Sequence, residues 1–481
     1  MDGYVPAMPS KTKASASRSS QWILAASVLG SGAVFLEGSV VSVAIPAISR
    51  DLGLGIAGLQ WVMNGYLLTL SALMLFGGAV GDRWSRPKVF AIGSIGFAVS
   101  SVACAIAPNV LLLVAARVLQ GTAGALVVPN SLAMLETTFH GEERGVAIGH
   151  WAAWSGVSTA LGPLAGGWLV DIGSWRLVFY SIVPFALTAA WIAFRHGQAA
   201  AADGGKKKPR SLDYAGALLV TFGLAGIVGA LIAGPESGFT SLPVMGSLVG
   251  GLVLLGGFVL VERRATTPLL PLDVFRSRIL VGANLNTLFV YAALSGLFFL
   301  LMLQLQNGLG YSALKAGSSL LPVNALLLVV SPRAGNLAER IGARVMVAAG
   351  SVVAGIGMLL FIRVRPGVSY LTSVLPAILV FGFGLGVLVA PLTTAALRSL
   401  GEERAGIASG VNNAVARLAG LLATAAIPVA AGLGGAHQLG GAILNAGFAR
   451  AMMICAALCG VGALVAATMI EGGKPTLRDV R

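Results

Sequence analysis

Two ionisable side chains lie deep within apolar stretches of this sequence and could bind and release protons there. Glu37 lies in the apolar run 22–46, and Arg117 lies in the run 109–133 with Gln120 one helical turn further on. If both runs cross a membrane as helices in opposite directions, Glu37 lies about 22 Å from one end and Arg117 about 12 Å from the other. Both residues therefore fall at a similar depth in the membrane, where an unpaired charge is energetically costly. The Glu37 carboxylate and the Arg117 guanidinium could pair there.

Two interpretations of this predicted pair remain open. Glu37 and Arg117 could form a static buried salt bridge that holds two helices together. Alternatively, Glu37 could titrate during a functional cycle, with its proton affinity tuned by burial and by Arg117. A third charge within an apolar run, Arg417, could line a cavity, extend its charged end toward the membrane interface or hydrogen-bond to carbonyl groups, and we favour a structural role for it.

A second charged group stands between two apolar runs. The segment GAVGDRWSRPK, Gly78–Lys88, places Asp82, Arg83 and Arg86 just past the end of a predicted helix. A turn this short between long apolar segments must lie at a membrane face. The segment is either a basic loop that fixes topology or a latch whose acidic and basic groups pair across moving helices.

The elements that position these groups are predicted to be membrane-spanning helices. The chain has 481 residues, of which 56% are hydrophobic and only 10% charged, a composition that indicates an all-α polytopic membrane protein. Fourteen apolar runs reach the length of about 20 residues that a span needs. They lie near 22–46, 58–81, 88–107, 109–133, 146–170, 177–195, 213–233, 244–263, 279–305, 314–337, 345–362, 369–393, 405–431 and 448–470.

The charge distribution predicts the orientation. The 32 Lys and Arg residues fall mainly in the segments that would be cytoplasmic if both termini were cytoplasmic. The net charge of +14 is therefore explained by topology and does not indicate a nucleic-acid partner. The first apolar run is long and contains Glu37, so it is predicted to be an uncleaved helix. The three cysteines and four histidines show neither a disulfide framework nor metal-ligand spacing.

An internal repeat divides the sequence into two halves. The segment Gly335–Arg344, GNLAERIGAR, repeats the pattern of Gly78–Arg86, and it brings Glu339 and Arg340 to the position of Asp82 and Arg83. We predict two six-helix bundles plus two inserted helices, a common plan of secondary transporters. The predicted regions are a cytoplasmic tail at 1–21, a six-helix bundle at 22–195, a linker with inserted helices 7 and 8 at 196–278, a second six-helix bundle at 279–470 and a cytoplasmic tail at 471–481.

These segments resemble the motifs of the major facilitator superfamily, and in particular of its fourteen-span drug:proton antiporters. Gly78–Lys88 resembles the loop G-x-L-x-D-R-x-G-R-K, with Val80, Ser85 and Pro87 at variant positions. The stretch LEGSVVSVAIP at 36–46 resembles L-D-x-T-I-V-N-V-A-L-P, with Glu37 in place of the family's Asp. The resemblance implies a major facilitator fold, with the latch at Gly78, Asp82, Arg83 and Arg86 and its repeat as a cytoplasmic gate.

Two further motifs extend the resemblance. The stretch beginning at Arg117 resembles R-x-x-Q-G-x-G, which implies a role in proton transfer for Arg117 and Gln120. The stretch 156–167 resembles the antiporter motif G-x-x-x-G-P-x-x-G-G of the fifth helix. The matching positions of that motif are Gly156, Gly162, Pro163, Gly166 and Gly167. Trp61, Tyr66 and Trp154 could stack on a substrate, although packing or interfacial positions explain each equally well.

The resemblance implies a proton-coupled exporter of small amphipathic compounds in the inner or plasma membrane, working by alternating access. Its implied partners are a small-molecule substrate, protons and the lipid bilayer, with no nucleic acid, no metal and no cofactor beyond the proton gradient, and the chain is expected to be a monomer. No nucleotide-binding motif occurs, so neither an enzyme nor an ATP-driven pump is expected. The alternatives are an exporter of one metabolite, antibiotic or lipid, a non-transporting membrane sensor, and an importer, which the antiporter motif disfavours.

Overall fold

The computed structural model describes residues 11–201, 212–265, 268–401, 404–436 and 440–470, and within them the regular secondary structure is entirely helical. Its α-helices are α1 (Lys11–Leu52), α2 (Ile56–Arg83), α3 (Arg86–Ile106), α4 (Val110–Thr138), α5 (Gly141–Ile172), α6 (Arg176–Ala201), α7 (Tyr214–Ser237), α8 (Leu242–Arg264), α9 (Arg278–Leu303), α10 (Ala313–Ser318), α11 (Leu321–Ile341), α12 (Ala343–Leu360), α13 (Leu375–Arg398), α14 (Ala405–Ala430) and α15 (Gly441–Met469).

Thirteen helical segments within the described residues are long and apolar enough to cross a membrane. The pair α10 and α11 forms one of them, interrupted only at Ser319 and Leu320. The fifth predicted span corresponds to α5, which has the length of a span but falls below the apolarity of the others. Its sequence contains seven Gly and three Trp residues, and it packs between α1 and α10. Length and packing thus support it as the fourteenth long helix.

The ends of the predicted regions differ from the structure in two places. The first bundle was predicted to end at residue 195, but α6 continues to Ala201. We expected residues 1–21 to form a polar tail, but the described part of that segment continues α1 back to Lys11. Once a helix is nucleated, each added residue gains one backbone hydrogen bond, so a polar extension can continue it. Residues 1–10, residues 202–211 of the predicted linker and the predicted tail at 471–481 lie outside the described residues.

The helices pack mainly within two groups. Helices α1 to α6 contact one another, with α4 against α2 and α3, and α9 and α11 to α15 form a second group. Helices α7 and α8 pack together, and α7 also contacts α2 and α14. Small residues permit these approaches: a Cβ on Gly77 would lie 2.1 Å from the carbonyl oxygen of Ala125 on α4.

The two ends of the helix bundle are named here by what they carry. The tail face is the end where α1 begins and α15 ends, and it includes Asp82 and Glu339; the opposite face includes Asp51 and Asp171. On the tail face the two repeated turns differ in backbone. Gly342 between α11 and α12 has φ of 93°, which favours glycine, whereas Ser85 between α2 and α3 has an extended φ of 176°. The extended backbone explains why a serine suffices at that turn.

Candidate functional site

The two charges predicted to meet inside the membrane are joined in the structure. Arg117 Nη1 donates to Glu37 Oε1, and both side chains are fully buried. Arg117 also donates from Nε to the carbonyl oxygen of Val62 at 3.0 Å and from Nη1 to Gln120 Oε1 at 2.8 Å. The guanidinium carbon lies 4.3 Å from the centroid of the Tyr66 ring. Helices α1, α2 and α4 thus hold the pair from three sides.

Gln120 extends this network toward α3. Its Nε2 donates to Ser101 Oγ at 2.8 Å, while its Oε1 accepts from Arg117. Gly121, the next residue, lies so close to α2 that a Cβ there would be 2.3 Å from the carbonyl oxygen of Tyr66. The Gln-Gly pair therefore has a local explanation: glutamine anchors the arginine, and glycine lets α4 approach α2 closely enough for that contact.

One oxygen of the buried carboxylate is available for a proton. Among the described residues, Glu37 Oε2 has no hydrogen-bond partner, and neither has Arg117 Nη2. A buried polar atom without a partner is rare and costly in a folded protein. Because protonation would remove the negative charge and weaken the hold of Arg117, this oxygen is the position where a proton would act on the contact between α1 and α4.

A cavity of about 520 Å³ opens at the tail face. Glu37 and Arg117 are not among its lining residues, although Phe35, two residues before Glu37 on α1, is. Its mouth includes Asp82 and Glu136, near the ends of α2 and α4, and the segment that joins α8 to α9. Its volume falls in the range of ligand pockets, roughly 300–1,000 Å³. The lining residues are Phe35, Met74, Leu75, Gly78, Ala79, Asp82, Val128, Pro129, Leu132, Ala133, Glu136, Trp151, Pro268, Leu269, Pro271, Gly406, Ile407, Ser409, Gly410, Val411, Asn413 and Arg417.

The aromatic residues proposed from the sequence lie elsewhere in this conformation. Tyr66 is fully buried and donates to the carbonyl oxygen of Val34 at 3.1 Å, and Trp61 packs against α7. Trp154 is exposed on α5 and is absent from the cavity lining. The aromatic lining residues are instead Phe35 and Trp151, because the rotation of α1 and α5 turns these two side chains inward.

Part of the cavity mouth is formed by Pro268, Leu269 and Pro271, between α8 and α9, and we call these residues the lip. Two carboxylates hold the lip in place. Glu262, near the end of α8, accepts hydrogen bonds from the backbone N–H groups of Leu269 and Leu270. Asp273 accepts from Arg404 at the start of α14 at 2.6 Å. This neighbouring guanidinium holds the pKa of the Asp273 carboxyl below its usual range. The lip therefore stays attached to the second helix group at neutral pH.

On the tail face, the predicted latch residues pair within each helix group. Arg86 donates to Asp82 Oδ1 at 2.8 Å and to the carbonyl oxygen of Ala133 at 2.8 Å, and Arg398 pairs with Glu339 at 3.3 Å. Arg83 and Arg340 are exposed. Among the described residues, no salt bridge joins α1–α6 to α9–α15. The tail face is open at the cavity, whose lining residues come from both helix groups.

We expect the change Asp82→Asn to slow transport several-fold while changing the free energy of unfolding by less than about 1 kcal/mol, because the pair is partly exposed. An asparagine cannot hold the Arg86 guanidinium by charge, so the turn between α2 and α3 is fixed less firmly. Initial transport rates in proteoliposomes, measured beside thermal unfolding, check this. Arg144→Gln breaks the exposed pair with Glu136 on the same face and serves as the control. Equal rates for Asp82→Asn and the wild type would reject the latch.

Glycines of this latch segment differ in how tightly they pack. A Cβ on Gly81 would lie 1.6 Å from Asn130 Oδ1, whereas one on Gly78 would meet only the Pro129 side chain at 3.5 Å. Asn130 in turn donates to the carbonyl oxygen of Gly77 at 2.9 Å. Within the latch segment, the glycine that packs most tightly against α4 is thus Gly81, which the sequence comparison with the loop motif did not single out.

The opposite face is closed by contacts between the two helix groups. Asp171, at the end of α5, accepts hydrogen bonds from the backbone N–H groups of Ala313 and Leu314 at 3.0 and 2.9 Å. The carboxylate therefore lies at the N-terminus of α10, where it satisfies free donors and complements the helix dipole. Gln306 donates to the carbonyl oxygen of Val43 at 2.9 Å, which ties the end of α9 to α1.

The antiporter motif of α5 forms part of this closure. A Cβ on Gly167 would lie 2.5 Å from the carbonyl oxygen of Ala313, and one on Gly317 would lie 2.0 Å from that of Pro163. On α1, a Cβ on Gly162 would lie 1.9 Å from Ser39 Oγ and one on Gly166 would lie 2.9 Å from the carbonyl oxygen of Val40, whereas Gly156 has no neighbour within 4 Å. We name the Asp171 hydrogen bonds and the Gly167 and Gly317 contacts the α5–α10 clasp. The sequence did not point to Asp171, since only its partner on α10 reveals its role.

A helical membrane protein with two helix groups, a cavity open on one face and a clasp on the other is the architecture of a secondary transporter. The chain belongs to the Major Facilitator Superfamily, whose family model matches residues 27–424. The predicted all-α fold and the family resemblance are therefore confirmed. The POT family transporter PepTSo shares the fold with a TM-score of 0.67 at 15% sequence identity, over 94% of this chain and 97% of that chain.

Curated relatives support the family at higher identity. The tetracenomycin C resistance and export protein of Streptomyces glaucescens is 35% identical over 437 residues, 88% of this chain and 78% of that protein. The puromycin resistance protein of Streptomyces alboniger is 36% identical over 84% of this chain and 79% of its own length. The multidrug resistance protein Stp of Mycobacterium tuberculosis H37Rv is 34% identical over 81% of this chain and 72% of its own length.

Proposed function

We propose that this protein exports small amphipathic compounds from the cell in exchange for protons, by alternating access. The observation that carries the proposal is a cavity that opens at the tail face while the α5–α10 clasp closes the opposite face. The buried Glu37–Arg117 pair in the same helix group supports the exchange for protons. The names of the relatives, which refer to antibiotic resistance and export, support the direction of transport. In this proposal the tail face and both termini are cytoplasmic, in the inner or plasma membrane.

The proposed cycle assigns each group a step. Substrate enters the cavity from the cytoplasm while Glu37 is ionised and paired with Arg117. The helix groups then rock, the clasp opens, and the tail face closes around Asp82, Arg83 and Arg86 and their repeat at Glu339 and Arg340. Protonation of Glu37 from outside weakens its hold on Arg117 and favours substrate release. The protein acts as a monomer without a cofactor, and no covalent chemistry on the substrate is part of the cycle.

The proton gradient is sufficient to drive this export. One proton that moves inward across a potential of about 150 mV supplies about 3.5 kcal/mol. For a neutral substrate this sustains a concentration gradient of roughly several hundred-fold, since about 1.4 kcal/mol corresponds to a factor of ten. No nucleotide is needed for export against a gradient of that size.

The test uses the full chain in liposomes that contain a pH-sensitive dye. A pH gradient is imposed, amphipathic compounds of different charge are added, and proton flux is followed in the same vesicles. Flux that depends on both the compound and the protein establishes antiport. Absence of flux with every compound, in vesicles whose protein is folded and correctly inserted, would reject proton-coupled export. A response to one compound alone would favour the narrower exporter that the names of two relatives suggest.

A further inference from the structure

A single arginine lies deep in the cavity at the tail face. Arg417 is on α14, twelve residues after the first residue of that helix, Ala405, or about 18 Å along its axis. It lines the cavity together with Phe35 and Trp151. The two acidic lining residues, Asp82 and Glu136, lie within a turn of the ends of α2 and α4, at the mouth. The inner part of the cavity therefore carries a positive charge and the mouth carries the negative ones.

Arg417 has no counter-charge among the residues that the structure describes. It takes part in none of the salt bridges or side-chain hydrogen bonds between them, whereas Asp82 pairs with Arg86 and Glu136 with Arg144. The titratable groups that act on Arg417 are the phenols of Tyr66 and Tyr291, which are neutral at pH 7. A guanidinium carries five N–H donors, and these are free to bind a molecule in the cavity.

The surroundings of Arg417 are aromatic. Its guanidinium carbon lies 5.2 Å from the centroid of the Phe35 ring, and the Trp151 ring meets Phe35 edge to face at 6.2 Å between centroids. Trp151 is held in place because its Nε1 donates to Ser31 Oγ at 3.0 Å. A flat aromatic ligand can therefore contact these rings while an oxygen group at its edge reaches the guanidinium.

We propose that the cavity selects aromatic compounds that carry a carboxylate or an acidic phenol, and that Arg417 binds this acidic group. A partly buried cation without a counter-charge is stabilised most by an anion, and a guanidinium binds a carboxylate through two parallel hydrogen bonds. A cationic compound meets like charge at the same depth. This inference deepens the proposed export function and rests on it, since it names the substrate class of that cavity.

The test measures binding of three matched probes to the full chain in lipid nanodiscs at pH 7. The probes are radiolabelled anthracene-2-carboxylate, the neutral anthracene-2-carboxamide and the cationic 2-(aminomethyl)anthracene, measured by equilibrium dialysis against protein-free nanodiscs. We expect the wild type to bind the carboxylate roughly ten- to a hundredfold more tightly than the carboxamide, the range expected for hydrogen bonds between charged groups. The cation should bind most weakly of the three.

Variants assign the selectivity to one side chain. Arg417→Gln should lose the preference for the carboxylate while keeping its affinity for the carboxamide, which also shows that the cavity is intact. Arg417→Lys should keep part of the preference, because lysine retains the charge without the planar fork. Arg333→Gln, which removes an exposed arginine of α11 outside the cavity lining, is the matched control. Equal affinities of the wild type for carboxylate and carboxamide, or an unchanged preference in Arg417→Gln, would overturn the inference.

The same probes separate this inference from the proposed function. Proton flux evoked equally by anionic, neutral and cationic compounds would retain proton-coupled export and reject anion selection by Arg417. Selective binding of the carboxylate without proton flux from any probe would retain the binding site and reject the proposed transport cycle.

Discussion

The change Glu37→Gln is expected to abolish substrate-evoked proton flux in liposomes, while exchange of labelled for unlabelled substrate continues. Glu37 is the only carboxylate in the described spans that pairs with a fully buried arginine, and its Oε2 has no hydrogen-bond partner there. A glutamine at this position cannot take up or release a proton. Net export coupled to protons should therefore stop, although the helix groups can still rock with substrate bound.

We expect the protein to remain folded in this variant. Removal of one partner from a buried ion pair costs roughly 3–5 kcal/mol when the other charge is left without a partner. A glutamine keeps a carbonyl oxygen where Glu37 Oε1 accepts from Arg117, and Val62 and Gln120 continue to accept from the same guanidinium. The loss of stability should therefore lie below that range, and thermal unfolding of the purified variant measures it.

Two companion variants make the result specific. Glu37→Asp retains the acid with a shorter reach and restores the residue type of the family pattern, so proton coupling should persist. The double change of Glu37 and Arg117 to glutamine removes both charges and should recover stability without recovering coupling. Proton flux equal to the wild type in Glu37→Gln would mean that the pair is a static link between α1 and α4, the alternative that the sequence leaves open.

The sequence predicts the number and placement of the helices well, because each membrane span requires a long apolar run that is visible in the sequence. The short boundary between α3 and α4 lies at residues 107–109, between the predicted apolar runs 88–107 and 109–133. The contact between Glu37 and Arg117 could also be anticipated, since a buried charge requires a partner and only a few charges share that depth. The length of a span and the cost of a buried charge therefore predict the helices and this ion pair without knowledge of the tertiary packing.

The cavity and the clasp could not be predicted in the same way. Trp151 and Trp154 are three residues apart in a run without strong helical periodicity, so nothing in the sequence says which one faces inward. Asp171 carries no motif, and its partners are backbone N–H groups of a helix more than a hundred residues away. Such roles depend on the rotation of helices and on the conformation of the transporter, which a single sequence does not determine.

The second large expected effect on transport comes from a substitution in the α5–α10 clasp. The change Gly167→Ala should open the opposite face and strongly reduce export. A Cβ at this position would lie 2.5 Å from the carbonyl oxygen of Ala313 and 2.6 Å from the Cα of Leu314. Both are backbone atoms of α10 that cannot rotate away, so the two helices must separate. Overpacking of about 1–3 kcal/mol would shift the population away from the closed clasp by roughly ten- to a hundredfold.

The same motif provides a matched control, because Gly156 lies on the same helix with no atom within 4 Å of its Cβ position. Arg50 and Leu371 are exposed on the two helix groups at the opposite face. Spin labels attached to cysteines introduced at these two positions report the distance between the groups by double electron–electron resonance. The native cysteines are buried and should react little with the label. Gly167→Ala should populate a longer distance, and so should Gly317→Ala from the facing helix, whereas Gly156→Ala should match the wild type. If the three variants gave one distance distribution, close contact between α5 and α10 would not control the opposite face, and the motif would act through α1 instead.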